Sequence, residues 1–386
     1  MYEIGKAEIE NVRKVIESGQ TFRYRGGEGG WCDKFEAALA RKIGVKHALA
    51  TSSGTGALAC AMVGAGLGPG DEVIVPAYTF MASALAVLMA GAVPIIAEVG
   101  ESLMIDPKDV ERKITRHTKA IMPVHMMGHL CDMKSILAIA RKHKLMVIED
   151  ACQAVGGSYQ GRRAGSIGKA GAFSFNYFKN MTCGEGGAVL TSDGVIFDRA
   201  RIYHDGGCVF RQYASEIETP FFTGSNFRVS EIQGAILSAQ LERLDGILKR
   251  LRARFKAMNE VLAKSKRFAL SPLNDAEGDC GSSVLVTFEK EAEAKAYLDR
   301  HQNHGTSVGR PIDTGRHVYC NWEPIMNRRG AHHAKLNPYN WAKREIRYAA
   351  DMCPRSLDLM SRTVFASVPY KASIGEARRL AKALAE

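Results

Sequence analysis

Between residues 48 and 192 the chain repeats one pattern: a short apolar run, a segment long enough for a helix, then another apolar run. The runs fall at 48–50, 72–75, 93–97, 120–124, 145–148, 172–175 and 188–191. Strand-length runs alternating with helix-length segments predict a mostly parallel sheet covered by helices on both faces. Ligands of such sheets bind beyond the carboxyl ends of the strands, so the residues that directly follow each run are the candidates for chemistry.

The rest of the chain reads differently. From 230 to about 263, apolar residues at helical spacing (E-I-Q-G-A-I-L-S-A-Q-L-E-R-L) predict one long amphipathic helix leaving the first domain. Beyond 265, a strand at 283–288 and a helix at 291–301 predict a smaller α+β domain. The expected division is 1–245 for the large domain, N-terminal segment included, and 246–386 for the small one. A chain of 386 residues with 46% hydrophobic content can bury a core of that size.

The longest apolar stretch, 82–97, is too short to span a membrane and is interrupted by Gly91 and Pro94, so it reads as helix, turn and strand. The start, M-Y-E-I-G-K-A-E-I-E, has no apolar signal-peptide core, and the expected location is the cytoplasm. Nine cysteines, an odd number without any C-x-x-C pair, point to reduced thiols rather than to disulfides or zinc. The net charge of +11 suits an anionic small molecule as well as nucleic acid or an acidic membrane. Lys and Arg are nevertheless spread along the chain among Asp and Glu, so a basic solvated face is the plain reading and neither nucleic acid nor membrane is expected as a partner.

Three strand ends stand out. After the first run comes T-S-S-G-T-G-A-L, small residues and glycines opening an Ala/Leu-rich helix, whose free N–H groups would suit a phosphate; a simple N-cap looks the same. The run L-M-V-I ends in Glu149 and Asp150, where a carboxylate can cap a helix, bind a metal or pair with a protonated ring nitrogen. Then F-S-F-N-Y-F-K-N-M-T-C-G-E-G-G sets Lys179 between an aromatic strand and a glycine cluster. Alone, each has a bland explanation. Together, a phosphate cup, a strand-end acid and an amine meet the needs of pyridoxal phosphate.

The ordered motifs S-G-T-G-A-L, P-A-Y-T-F, P-V-H-M-M-G-H, I-E-D-A-C-Q-A, the Lys179 stretch and N-F-R-V-S-E-I-Q-G-A resemble those of the DegT/DnrJ/EryC1/StrS aminotransferases. The likeness runs from about 35 to 244 and fades beyond 265. It implies a fold-type I pyridoxal phosphate enzyme, with a large helix-covered sheet domain and a smaller C-terminal α+β domain. It further implies that Lys179 anchors pyridoxal 5'-phosphate covalently and carries protons, with pyridoxamine 5'-phosphate as the intermediate form. Asp150 would keep the pyridine nitrogen protonated, so that the ring accepts electrons. Gly54, Thr55 and Ser174 match phosphate-binding positions, Phe80 the ring-stacking aromatic, and Gln153 a neighbour of the phenolic oxygen. Asn226 matches a residue that reaches the phosphate of the neighbouring subunit's cofactor, implying a homodimer with shared active sites.

Substrate candidates are Arg23 and Arg25 in T-F-R-Y-R, since the family brings its N-terminal segment to the active-site mouth, together with His125, Glu185, Arg228 and His317. Plain readings stand beside several of these. Phe80 can be core packing, His125 a buried hydrogen-bonded histidine, Arg228 structural, and the Gly184–Gly187 turn a backbone device. Tyr319 and Trp322 can stack on a sugar or pack a loop. Adjacent His332 and His333 lack the partners that make a metal site, and no metal is expected.

The activity so implied is transfer of an amino group from glutamate or glutamine to the carbonyl of a sugar or sugar-like acceptor, giving an amino sugar and a 2-oxo acid. Acceptors in view are a nucleotide-linked keto sugar, an acidic octulosonate-type sugar and a cyclitol ketone. A dehydratase of the same fold is the first rival; such relatives usually carry histidine at the lysine position, which Lys179 speaks against. A non-catalytic basic binding protein is the second, and it predicts a colourless protein with its charge on one face.

Overall fold

The computed structural model describes residues 3–24, 29–207, 211–301 and 307–386. Seven strands form the main sheet: β1 (His47–Thr51), β2 (Glu72–Pro76), β3 (Val93–Ala97), β4 (Thr118–Ile121), β5 (Met146–Asp150), β8 (Ala170–Ser174) and β9 (Gly187–Thr191). The small hairpin β6 (Ser158–Tyr159) and β7 (Arg162–Arg163) lies between β5 and β8 in sequence. The sheet order is β1-β9-β8-β5-β4-β2-β3, and β9 is the strand that runs against the others. The seven runs read from the sequence are these seven strands, with ends displaced by a few residues.

Helices α1 (Lys6–Glu17), α2 (Trp31–Ile43), α3 (Gly54–Gly64), α4 (Ala82–Met89), α5 (Pro107–Lys113), α6 (Met133–His143) and α7 (Gly194–His204) accompany the large sheet. α3 starts where Ser53 Oγ accepts the Gly56 amide, and Ala57, Leu58, Cys60, Ala61 and Met62 on it are all buried. A helix apolar all round must be covered on both sides; α3 packs on β8 and β9 and under α7. The 82–97 run resolves into α4, a turn at Gly91 (φ 85°) and β3.

α8 (Glu231–Leu262) is a single helix of 32 residues, roughly 48 Å long at 1.5 Å per residue. Leu237, Leu241 and Leu244 on it belong to the core of the large sheet. Ile247, Leu251, Phe255 and Met258 belong to a second core. That second core lies on the four-stranded sheet of β10 (Ala269–Leu270), β11 (Ser283–Thr287), β13 (Thr363–Ser367) and β12 (Val308–Gly309), with α9 (Glu291–His301) and α12 (Ile374–Ala385). Between β12 and β13, the segment containing α10 (Glu323–Met326) and α11 (Pro354–Arg362) returns to the first core through Val318, Trp322, Ile325 and Leu359. Tyr319 and Trp322 are fully buried there, Tyr319 Oη donating to the Ala350 carbonyl (2.6 Å) and Trp322 Nε1 to that of Arg316 (2.9 Å). They pack this segment and present no face to a sugar.

Among the described residues no helix is long and apolar enough to cross a membrane, and no cluster of three metal-ligating side chains occurs.

Candidate active site

A cavity of about 1030 Å³ opens at the carboxyl edge of the large sheet, between it and the small domain. Side chains alternate across a strand, so the neighbours Glu149 and Asp150 at the end of β5 go opposite ways. Asp150 lines the cavity and is nearly buried. Its Oδ2 accepts from Ser83 Oγ at 2.6 Å and its Oδ1 from the Cys152 amide at 3.1 Å. Glu149, fully buried, accepts the amides of Gly165 (2.9 Å), Ile167 (2.6 Å) and Gly168 (2.6 Å) and contacts His125 Nε2 at 3.2 Å. Glu149 is thus a structural acceptor for the turn before β8.

Gly54, Thr55 and Ser174 line the cavity beside β1 and β8. The first amides of α3 have no acceptor inside the helix, as in any helix, and they lie at this wall. A Cβ on Gly54 would meet Ser174 Cβ at 2.7 Å and Cys152 Sγ at 3.0 Å, so a side chain there would close the cradle. Gly187 likewise lets β9 pass the Ser53 carbonyl, which an added Cβ would meet at 2.4 Å.

Lys179 is half-buried in the cavity wall, on the turn after β8 where its amide donates to the Asn176 carbonyl (2.9 Å). Among the described residues no carboxylate pairs with its amine. Phe80, 39% exposed, lines the cavity with its ring centroid 5.4 Å from that of His317. Burial holds the His317 imidazole below its ordinary value, against the hydrogen bond to the Thr314 carbonyl, and the Lys179 charge adds to the lowering. Gln153 Oε1 accepts the Met127 amide at 3.0 Å, and Glu185 Oε1 accepts from Asn176 Nδ2 at 2.8 Å.

The cavity therefore gathers Gly54, Thr55, Phe80, Asp150, Gln153, Ser174, Lys179, Glu185 and His317. It does not include Arg23, His125, Asn226 or Arg228. Arg23 is buried, donating to Asp33 (2.8 Å) and Glu36 (2.7 Å) of α2, and two carboxylates so placed leave it no freedom to meet a substrate in this chain's cavity. Arg25 lies outside the described residues. His125 sits beneath the floor, its Nδ1 accepting the Cys131 amide at 3.1 Å and its Nε2 facing Glu149, which is the buried hydrogen-bonded arrangement. Arg228 pairs with Asp205. Asn226 is exposed, bridging to Asp205 on a neighbouring strand segment.

Several cavity residues carried no sequence signal. Ser282, Ser283 and Thr314 line the cavity from the small-domain side, and Ser83, inside the apolar α4, stands behind the lining as the partner of Asp150. Only the spacing of Ser83 after the P-A-Y-T-F motif could have suggested it.

The sheet order, the lysine after β8 and the acid at the end of β5 define a fold-type I pyridoxal phosphate enzyme architecture. Residues 2–358 match the DegT/DnrJ/EryC1/StrS aminotransferase family, and the chain belongs to it. GDP-perosamine synthase of Caulobacter vibrioides is 46% identical over 214 residues, 55% of this chain; the match spans only 56% of that protein's length. The dTDP-3-amino-3,6-dideoxy-alpha-D-galactopyranose transaminase of Aneurinibacillus thermoaerophilus is 37% identical over 315 residues, 81% of this chain and 83% of that protein. The X-ray structure of S. venezuelae DesV in complex with a ketimine intermediate matches with a TM-score of 0.78 at 31% identity, covering 98% of this chain and 93% of that one.

Proposed function

We propose that this chain is a pyridoxal phosphate-dependent aminotransferase that moves an amino group from glutamate or glutamine to the carbonyl of a sugar or sugar-like acceptor. The observation that carries the reading is the amine of Lys179, free of any carboxylate partner among the described residues, in one cavity with Asp150 and the start of α3. Pyridoxal phosphate bound there supplies an aldehyde for the lysine and a ring that accepts electrons. The amides of Gly54 and Thr55 with Ser174 would hold its phosphate, where helix N–H groups favour an anion. Asp150, fixed by Ser83 and the Cys152 amide, would hold a protonated ring nitrogen. Phe80 would cover the ring face, and Lys179 would take a proton from, and return it to, the reacting carbon.

The named relatives, two of them enzymes of nucleotide-linked amino sugars, support a nucleotide-linked keto sugar as acceptor ahead of an octulosonate or a cyclitol ketone. Asn226, exposed and outside its own chain's cavity, suits the reading in which it serves a second copy in a homodimer. Retention of Lys179 favours amine transfer over dehydration. The purified protein should be yellow, and borohydride should fix the cofactor to Lys179, as read by peptide mass. A colourless protein that takes up no pyridoxal phosphate, or a label on another lysine, would sink the assignment.

A further inference from the structure

A buried chain of polar contacts joins the small domain to the loop beside the cavity. This loop turns through two successive left-handed residues, Met127 (φ 55°) and Gly128 (φ 85°). A residue with a side chain keeps that backbone only where its surroundings impose it. Here the Met127 carbonyl accepts from Ser282 Oγ at 2.7 Å and from Ser283 Oγ at 2.9 Å. Ser283 Oγ is 3.3 Å from His129 Nε2, and His129 Nδ1 is 2.8 Å from Asp279 Oδ2. The other Asp279 oxygen accepts the Leu130 amide at 2.8 Å. His129 and Asp279 are 2% and 1% exposed, and neither lines the cavity.

On its other side the same residue touches the site. The Met127 amide donates to Gln153 Oε1 at 3.0 Å. An N–H group can donate only to the oxygen of a carboxamide, so this bond settles which way Gln153 is turned. Its NH₂ end is the one left for the cavity, and no acceptor meets it among the described residues.

We infer that His129 and Asp279 are positioning residues, locking the left-handed Met127–Gly128 turn and, through the Met127 amide, holding Gln153 as a hydrogen-bond donor into the cavity. The inference rests on the pyridoxal phosphate reading, in which the ring's phenolic oxygen receives that donor. A donor favours the unprotonated oxygen and lowers the pH at which the chromophore loses its proton.

The test is a pH titration of the visible band of the pyridoxal phosphate-loaded protein, with cofactor dissociation measured alongside. Gln153→Met should raise the midpoint by about one pH unit, the scale of one hydrogen bond to a charged group. Asp279→Asn, His129→Asn and Ser283→Ala should each raise it by part of that amount and add nothing when combined with Gln153→Met. A mere domain staple would lower the melting temperature and leave the midpoint at the wild-type value, which would overturn the inference. Ser283→Ala removes a single hydroxyl, so it decides the matter even where the other variants misfold. Wild-type protein that takes up no cofactor would instead defeat the reading beneath it, an outcome distinct from a loaded protein with unmoved midpoints.

Discussion

Ser83 Oγ lies 2.6 Å from Asp150 Oδ2, joining the first turn of α4 to the carboxyl end of β5. The carboxylate is 4% exposed, so this hydroxyl and the Cys152 amide replace most of its hydration. Ser83 is also 2.6 Å from Thr79 Oγ1, which restricts its rotation.

Ser83→Ala should therefore weaken whatever Asp150 holds without removing the charge. A hydrogen bond to a charged group is worth about 1.5–3 kcal/mol, which corresponds to roughly a tenfold or greater loss in cofactor affinity or in the rate of the glutamate half-reaction. Asp150→Asn should cost far more in rate. Stopped-flow absorbance on both variants checks the order; equal rates for Ser83→Ala and wild type would show that the carboxylate needs no orienting partner.

Gly54→Ala should narrow the cradle at the start of α3, because the new Cβ would stand 2.7 Å from Ser174 Cβ. Overpacking of this kind costs about 1–3 kcal/mol. Cofactor affinity should fall about fivefold or more by equilibrium dialysis. Adding Ser174→Gly removes the opposing atom and should recover melting temperature, though not phosphate affinity if the Ser174 hydroxyl contributes to it.

His204, fully buried on α7, donates from Nδ1 to the Arg201 carbonyl at 3.2 Å, and its Nε2 has no partner among the described residues. Burial lowers its pKa from 6.5 to about 4, against that hydrogen bond. The folded state favours the neutral ring, so its contribution is whole above about pH 6.5 and is lost as the pH falls toward 4. The full loss approaches about 3 kcal/mol at 1.36 kcal/mol per unit. Denaturant unfolding at pH 7 and pH 4 should show wild type losing more stability than His204→Asn, whose amide keeps the bond to Arg201 without titrating; parallel losses would assign the acid sensitivity to the carboxylates.

The strand runs were legible because burial on both faces demands continuous apolar residues, and the long α8 because one apolar stripe persists through two cores. That Lys179 and Asp150 line one cavity was legible because topology puts chemistry at strand ends: Asp150 comes two residues after the run at 145–148 and Lys179 four after that at 172–175. Arg23 misled because its sequence neighbours gave no hint that Asp33 and Glu36 would turn back on it. For Tyr319 and Trp322 the sequence left stacking on a sugar and packing open, and the packing reading is the one that holds, because their segment folds into the first core.

By itself, the sequence determined the alternation of strands and helices, the glycines that open α3 and β9, and the residue types for a phosphate, an acid and an amine. These are local properties, set by side-chain periodicity and backbone freedom. Tertiary structure alone decided that Asp150 faces the cavity while Glu149 anchors the turn at 165–168, that Ser83 orients the acid, and that Met127 turns Gln153. Each of those depends on groups far apart in sequence meeting within hydrogen-bond distance, which no spacing along the chain encodes.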